Sequence, residues 1–109
     1  MTFTIRELRK AKADKRAIFT WLHERSPQGA FAWLAAYDEM LERVATSDDS
    51  LAAAHEHRDL EMDVKQTLFK TRRGCVSRAL LIIEGHEVFI LRVRGPGQAT
   101  VDADDLETP

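Results

Sequence analysis

Two apolar runs that stand only two residues apart constrain the fold of this chain more than any other feature. The runs are Cys75–Glu84 and Glu87–Arg94, and only Gly85-His86 separates them. Their β-branched and aliphatic residues favour strands, and a two-residue connection that contains glycine is typical of a β-hairpin. A third strand candidate, Val64–Lys70, precedes them across a short turn. The sequence therefore predicts an antiparallel meander of three strands.

Two adjacent amphipathic helices are predicted before these strands. The first runs from about Ala13 to Arg25 and has Asp14 near the positive end of its dipole. Ile18, Trp21, Leu22 and Arg25 fall on one side of this helix, and Trp21 is expected to pack in the core. Ser26 can cap a second helix, and Pro27 fits its first position because the missing N–H costs nothing there.

The second helix carries the strongest periodic signal in the chain. Its apolar residues recur every three or four positions, and the predicted core face consists of Ala30, Trp33, Leu34, Tyr37, Leu41 and Val44. The very short link at 26–28 joins this helix to the first one. Such a link predicts an antiparallel helical hairpin.

A short N-terminal strand completes the predicted fold. Phe3 and Ile5 alternate in the run FTIRE and share one face of this strand. The order is then β-α-α-β-β-β, an α+β fold in which the helical hairpin packs on one face of a small, mostly antiparallel sheet. The other face is expected to be shallow or open. The 109 residues are expected to form a single domain, with a loop over Leu51–Asp63 and an acidic tail over 95–109.

The net charge of −2 conceals a strong segregation along the chain. Residues 1–25 carry seven Lys/Arg against three Asp/Glu, and residues 64–94 carry seven against two. Residues 26–63 carry nine Asp/Glu against two Lys/Arg, and the tail carries four against none. A basic sheet indicates an anionic partner, either nucleic acid or an acidic protein surface. The alternative is a solvated face that the acidic segments of the same chain neutralise.

Three arginines are predicted to converge at the open end of the hairpin. Strict alternation puts Arg92 and Arg94 on the face of Val88 and Ile90, and opposite to Phe89, Leu91 and Val93. Guanidinium groups present a planar fork of donors that suits phosphate or carboxylate. The alternative is ion pairing with Asp102, Asp104 or Asp105 of the tail. The candidate anion-binding residues are Lys65, Arg72, Arg73, Arg78, Arg92 and Arg94.

Other kinds of chemistry find little support in the sequence. The acidic run around His55 and His57 lacks the spacing of zinc ligands, so no metal site is predicted, and no motif for a cofactor is present. Cys75 is the single cysteine, which excludes an internal disulfide. No apolar run reaches the roughly 20 residues needed to span a bilayer, and the N-terminus does not look like a signal peptide. We therefore expect a cytoplasmic protein without a membrane partner.

The whole chain resembles the RelE/ParE superfamily of toxins from type II toxin–antitoxin systems. Each matching piece is short, but the pieces occur nearly end to end and in the right order. They are Trp21-Leu22, Ser26-Pro27, Trp33, VKQTLF at 64–69, RRGCVSRALLIIEG at 72–85, VFILRVRGPGQ at 88–98 and Asp104-Asp105-Leu106.

The resemblance implies a compact toxin that a cognate antitoxin holds inactive in a heteromeric complex. In the superfamily, ParE-like plasmid stabilisation proteins inhibit growth by acting on DNA gyrase, and the RelE branch cleaves mRNA on the ribosome. Arg78 and Arg92 match sheet arginines of the family, and Lys65 matches a position that is commonly basic. The open sheet face and the groove by the helical hairpin are expected to bind the antitoxin, with residues 64–94 involved.

Two departures from the family pattern bear on the choice of branch. Gly95 follows the RVR run where many members have histidine, and Ser77 stands where many have an aromatic residue before the arginine. No tyrosine follows Tyr37, and His86 is the only histidine after Val64. Cleavage of RNA needs a group that can shuttle a proton, and arginine is a poor base. The first hypothesis is therefore a ParE-like inhibitor, with a RelE-like endoribonuclease and a toxin-derived interaction module that has lost toxicity as alternatives.

Overall fold

Helices and strands follow one another in the predicted order. The structure, a computed structural model, describes residues 3–46, 64–71 and 76–95. Its elements are β1 (Thr4–Glu7), α1 (Arg9–Arg25), α2 (Pro27–Ala45), β2 (Lys65–Phe69), β3 (Ser77–Glu84) and β4 (Glu87–Arg94). The predicted order and the α+β class are confirmed. The predicted loop at 51–63, most of the turn before β3 and the acidic tail beyond Gly95 lie outside the described residues.

The four strands form one mixed sheet in the order β1-β4-β3-β2. The β3–β4 hairpin turns at Gly85-His86, and Gly85 has a φ of 60°, a left-handed conformation that glycine adopts without strain. β2 is antiparallel to β3, whereas β1 runs parallel to β4 from Thr4 opposite Glu87 to Glu7 opposite Ile90. The sheet is therefore mostly antiparallel, as predicted.

The helix boundaries follow local signals, with one difference at the start of α1. The Ser26 Oγ accepts a hydrogen bond from the Gly29 N–H at 3.1 Å and caps α2, as predicted. α1 begins at Arg9 rather than near Ala13, because the basic residues before Ala13 are themselves good helix formers. The interpretation of Asp14 as a partner of the helix dipole is therefore wrong, since the dipole acts mainly within the first turn. Neither of the two described helices is long and apolar enough to cross a bilayer.

The main core lies between the helical hairpin and one face of the sheet. α2 buries the ring stack of Trp33 and Tyr37, whose centroids are 5.8 Å apart, against Phe69 of β2. The predicted face of α2 is right except that Met40 is fully buried, while Leu34 and Leu41 are only half-buried. The sheet residues of this core are Phe69, Ala79, Leu81, Val88, Ile90 and Val93.

One residue that was predicted to lie in the core, Trp21 of α1, is exposed. Its side chain is 54% exposed, so the prediction that it faces inward is wrong. The Arg25 guanidinium lies 3.7 Å from the centre of the indole ring and donates to the Trp21 carbonyl oxygen at 2.8 Å. Such stacking on an aromatic face covers part of the ring with a solvated cation.

A β-bulge in β4 changes which side chains share a face. Leu81 is opposite Ile90 but Leu80 is opposite Arg92, so Leu91 is an extra residue on β4. The extra residue shifts the alternation, and Val93 packs in the main core beside Val88 and Ile90. The predicted strict alternation, which grouped Val93 with Phe89 and Leu91, is therefore wrong.

The second face of the sheet carries a smaller buried cluster. Val64, Leu80 and Leu91 are fully buried, and Phe89 is 8% exposed. Leu8, just before α1, and Ile82 pack against these residues. The prediction of a shallow or open second face is therefore wrong for this part of the sheet.

Candidate anion-binding site

The arginine end of the hairpin is where the predicted site residues meet. Arg78 of β3 lies directly opposite Arg94 of β4, and Arg92 lies opposite Leu80, two positions along β3. Directly opposed residues in an antiparallel pair project from the same face and come close together. The hairpin therefore brings Arg78 and Arg94 together as predicted, at the end far from the turn.

Strand β2 supplies the immediate neighbours of Arg78. The Arg78 Nη1 donates to the Gln66 Oε1 at 3.2 Å, and Leu68, which is 51% exposed, lies directly opposite Arg78. Lys65 is instead opposite Leu81, a residue of the main core. Lys65 therefore lies on the other face of the sheet and does not join the arginines. Arg72 and Arg73 lie outside the described residues.

Arg92 is held by α1 through a carboxylate. The Arg92 Nε and Nη2 donate to the two carboxylate oxygens of Asp14 at 2.6 and 2.9 Å. The Val93 N–H donates to Asp14 Oδ2 at 2.9 Å. Both charged side chains are only 15% exposed. We call this arrangement of Asp14, Arg92 and Val93 the Asp14 clamp.

The position of the Asp14 clamp explains its geometry. β1 pairs with β4 only as far as Glu7 opposite Ile90, and the Leu8 N–H extends the ladder by one bond to the Ile90 carbonyl oxygen. Beyond that point none of the described strands lies beside the edge of β4, and its backbone N–H groups need other acceptors. The Asp14 carboxylate takes the place of a strand at Val93 and neutralises the guanidinium of Arg92. The clamp gives Arg92 a role in joining α1 to the sheet, whereas its role in anion binding stays a prediction.

Sequence reasoning missed the partner of Asp14, although a signal was present. Asp14 is the only acidic residue between Arg9 and Arg16. Its spacing from Ala11, Ile18 and Leu22 puts it on the apolar side of α1. A carboxylate in an apolar stripe needs a partner, because burying an unpaired charge is costly. Only the fold shows that β4 passes α1 there and brings Arg92 to Asp14.

A second buried polar group lies under the helices. The Tyr37 hydroxyl donates to Glu7 Oε2 at 2.6 Å, and the Lys15 Nζ donates to the same oxygen at 3.3 Å. Burial, followed by the hydrogen bond to Glu7, raises the pKa of the Tyr37 phenol well above its ordinary value of 10.0. Tyr37 therefore stays protonated at any physiological pH and is suited to packing rather than to proton transfer.

Ser77 occupies the position where the resembled family often has an aromatic residue. It is 2% exposed, and its Oγ accepts a hydrogen bond from the Trp33 Nε1 at 3.2 Å. This bond satisfies the indole N–H inside the core, as a buried tryptophan requires. Ser77 is thus part of the interior, one position before Arg78. His86, at the opposite end of the hairpin, is exposed.

Comparison with known proteins agrees with this fold. A solved structure described as "Chromosomal ParDE TA system from P. aeruginosa" contains a chain that aligns with a TM-score of 0.63 and 21% identity. The alignment covers 86% of this chain and 96% of that chain. No family model and no curated protein sequence matches. The fold that the resemblance implied is therefore confirmed.

Proposed function

We propose that this chain is the ParE-like toxin component of a type II toxin–antitoxin system. It inhibits DNA gyrase by binding, and a cognate antitoxin neutralises it in a heteromeric complex in the cytoplasm. The observation that carries the proposal is the fold likeness to a chain of a ParDE system, which extends over 96% of that chain. The superfamily resemblance of the sequence, from Trp21 to Leu106, supports the same assignment independently of the fold.

The arrangement of side chains favours binding over cleavage. At the arginine end, the described strands carry Arg78 and Arg94, which can hold an anion but are poor bases. The single tyrosine of the chain, Tyr37, is fully buried and hydrogen-bonded to Glu7. His86 lies at the turn, at the other end of the hairpin. General acid–base cleavage of RNA needs a proton-transfer group within hydrogen-bond reach of the phosphate.

Induced expression and a gyrase assay together test the proposal. We expect the wild-type chain to arrest growth and, when purified, to block gyrase supercoiling. Arg94→Glu should abolish both effects, and the melting temperature of the purified variant shows whether it remains folded. Arg25→Glu makes the same change of charge at an exposed position in the last turn of α1 and should retain both effects.

Other outcomes would identify the alternatives. Codon-dependent cleavage of mRNA in a translating extract, with supercoiling intact, would replace the proposal by a RelE-like endoribonuclease. Tight antitoxin binding with neither activity would indicate a toxin-derived interaction module. The antitoxin candidate is the product of the neighbouring reading frame, and co-expression should yield a stable complex that restores growth.

A further inference from the structure

The β-bulge at Leu91 decides which face of the sheet carries the arginines of β4. Between the turn and the bulge, Leu81 lies opposite Ile90. If that register continued without a break, Arg92 would lie opposite Ala79, a fully buried residue of the main core. The extra residue instead turns Arg92 to the second face of the sheet, because side chains alternate along a strand.

The same shift brings two arginines together. An unbroken register would place Arg78 opposite Val93, whereas the bulge brings Arg94 to that position and leaves Val93 in the main core. We call Arg78 and Arg94 the arginine pair. Like charges directly opposite each other destabilise a sheet, and each guanidinium can donate two parallel hydrogen bonds to an oxyanion. An oxyanion bound between the two side chains would therefore offset their repulsion.

The Asp14 clamp matches the shifted strand. Ile90 directs its carbonyl oxygen to the edge of β4 that pairs with β1, where the oxygen accepts from the Leu8 N–H. Alternate residues of an unbroken strand direct their backbone groups to the same edge, so Arg92 would offer its N–H there. Asp14 instead accepts the N–H of Val93. The carboxylate is therefore placed for the bulged form of β4.

Two anchors hold the clamp close to the arginine pair. Ala11, one turn before Asp14, is fully buried in the main core and fixes α1 against the sheet. The Asp14 carboxylate then binds the Arg92 guanidinium through two hydrogen bonds of 2.6 and 2.9 Å. Arg94, the last residue of β4, directly follows Val93, whose N–H the clamp also holds. The backbone that carries Arg94 is thus fixed one residue away.

From this geometry we infer that Asp14 is a positioning residue for the anion-binding site. It holds the bulged form of β4 and so keeps Arg94 opposite Arg78, where the two guanidinium groups bind one oxyanion. Asp14 itself does not touch the anion. The assignment of that oxyanion to the inhibited target rests on the proposed function, whereas anion binding by the arginine pair does not.

The charge of Asp14 by itself would have the opposite effect on anion binding. A carboxylate near a basic site repels an anion, so removing it should strengthen binding if only its charge matters. The positioning role predicts that removing it weakens binding, because Arg94 is then no longer held opposite Arg78. The sign of the change in affinity therefore separates the two roles.

Titration of the full chain with inorganic pyrophosphate, followed by NMR, tests the inference. We expect the side-chain Nε–H signals of Arg78 and Arg94 to shift in a saturable way, and added salt should weaken the binding. Asp14→Ala should weaken pyrophosphate binding by about tenfold or more. Asp14→Asn removes the charge but keeps an oxygen that can accept the Val93 N–H, so its affinity should lie between those of Asp14→Ala and the wild type.

Two further variants separate positioning from a general loss of stability. Met40→Ala removes a fully buried side chain of α2 in the main core, on the other face of the sheet from the arginine pair. It should lower the melting temperature, as Asp14→Ala does, but should bind pyrophosphate like the wild type. Arg94→Ala should abolish pyrophosphate binding. All titrations are made at a temperature at which circular dichroism shows every variant to be folded.

Several results would overturn the inference. These are equal or tighter pyrophosphate binding by Asp14→Ala, a matching loss of binding in Met40→Ala, or no saturable shift of the arginine pair in the wild type. Growth arrest and gyrase inhibition without pyrophosphate binding would overturn the inference and leave the proposed function standing. If pyrophosphate binds as expected but expression does not arrest growth, only the proposed toxin function fails.

Discussion

Replacing Asp14 by alanine should destabilise the protein by about 3–4 kcal/mol. The change removes the carboxylate that accepts two hydrogen bonds from Arg92 and one from the Val93 N–H. Removing one partner of a buried ion pair costs about 3–5 kcal/mol, and an unsatisfied backbone N–H costs about 1–3 kcal/mol. Because both side chains retain 15% exposure, water can solvate the groups that lose their partner, and we expect a loss near the lower limit of the range for an ion pair.

Thermal unfolding followed by circular dichroism measures this effect. For a chain of this size, each kcal/mol lowers the melting temperature by about 4 °C, so Asp14→Ala should melt roughly 12–16 °C below the wild type. Asp38→Ala is the matched control, because Asp38 is an exposed acid of α2. It should melt within about 2 °C of the wild type, since surface changes usually stay within about 0.5 kcal/mol.

A double-mutant cycle shows whether the loss belongs to the pair. Asp14→Ala and Arg92→Met should be strongly non-additive, because either change alone already breaks the clamp. Additive effects, or an Asp14→Ala protein that melts like the wild type, would refute the structural role of the clamp. Arg92→Glu should also lower stability, since that change places two carboxylates together. Arg94, which is not part of the Asp14 clamp, is therefore the better residue for testing activity.

Two further predictions concern the main core. The phenol of Tyr37 should not ionise near pH 10 while the protein is folded, which absorbance at 295 nm can follow because the chain has one tyrosine. The pKa of this phenol is higher in the folded than in the unfolded chain, so its contribution to the free energy of unfolding is complete below about pH 10 and falls as the pH rises further. Ionisation of Tyr37 near pH 10 in the folded chain would contradict its burial. Trp33→Ala should cost roughly 3–5 kcal/mol and abolish function through unfolding, whereas Trp33→Phe, which loses only the bond to Ser77 and part of the ring, should cost less. An unchanged melting temperature of Trp33→Ala would show that α2 presents a different face to the sheet.

Local patterns of the sequence determined the elements and their order. The hairpin at Gly85 and the cap at Ser26 depend on residues adjacent in the chain, so turn and capping chemistry predicts them directly. The core face of α2 follows from a helical period that needs no knowledge of its neighbours. The two-residue turn sets the register of the hairpin only as far as Leu81 opposite Ile90. Continued without a break, that register would place Arg78 opposite Val93, and the bulge at Leu91 brings Arg94 there instead.

Contacts between distant segments decided the rest. Asp14 and Arg92 are 78 positions apart, so nothing local could pair them, and they meet where β4 extends beyond its pairing with β1. The bulge at Leu91 shifted the faces of β4 by one residue, which strict alternation cannot anticipate. Trp21 shows the same limit for helices. The helical period predicts which residues share an apolar face, but how much of that face is buried depends on the element that packs against the helix, and Trp21 is left exposed. Which apolar residues are buried therefore depends on how the helices and the sheet pack together. The sequence predicts burial only where an apolar face of a helix or strand can pack against one element alone.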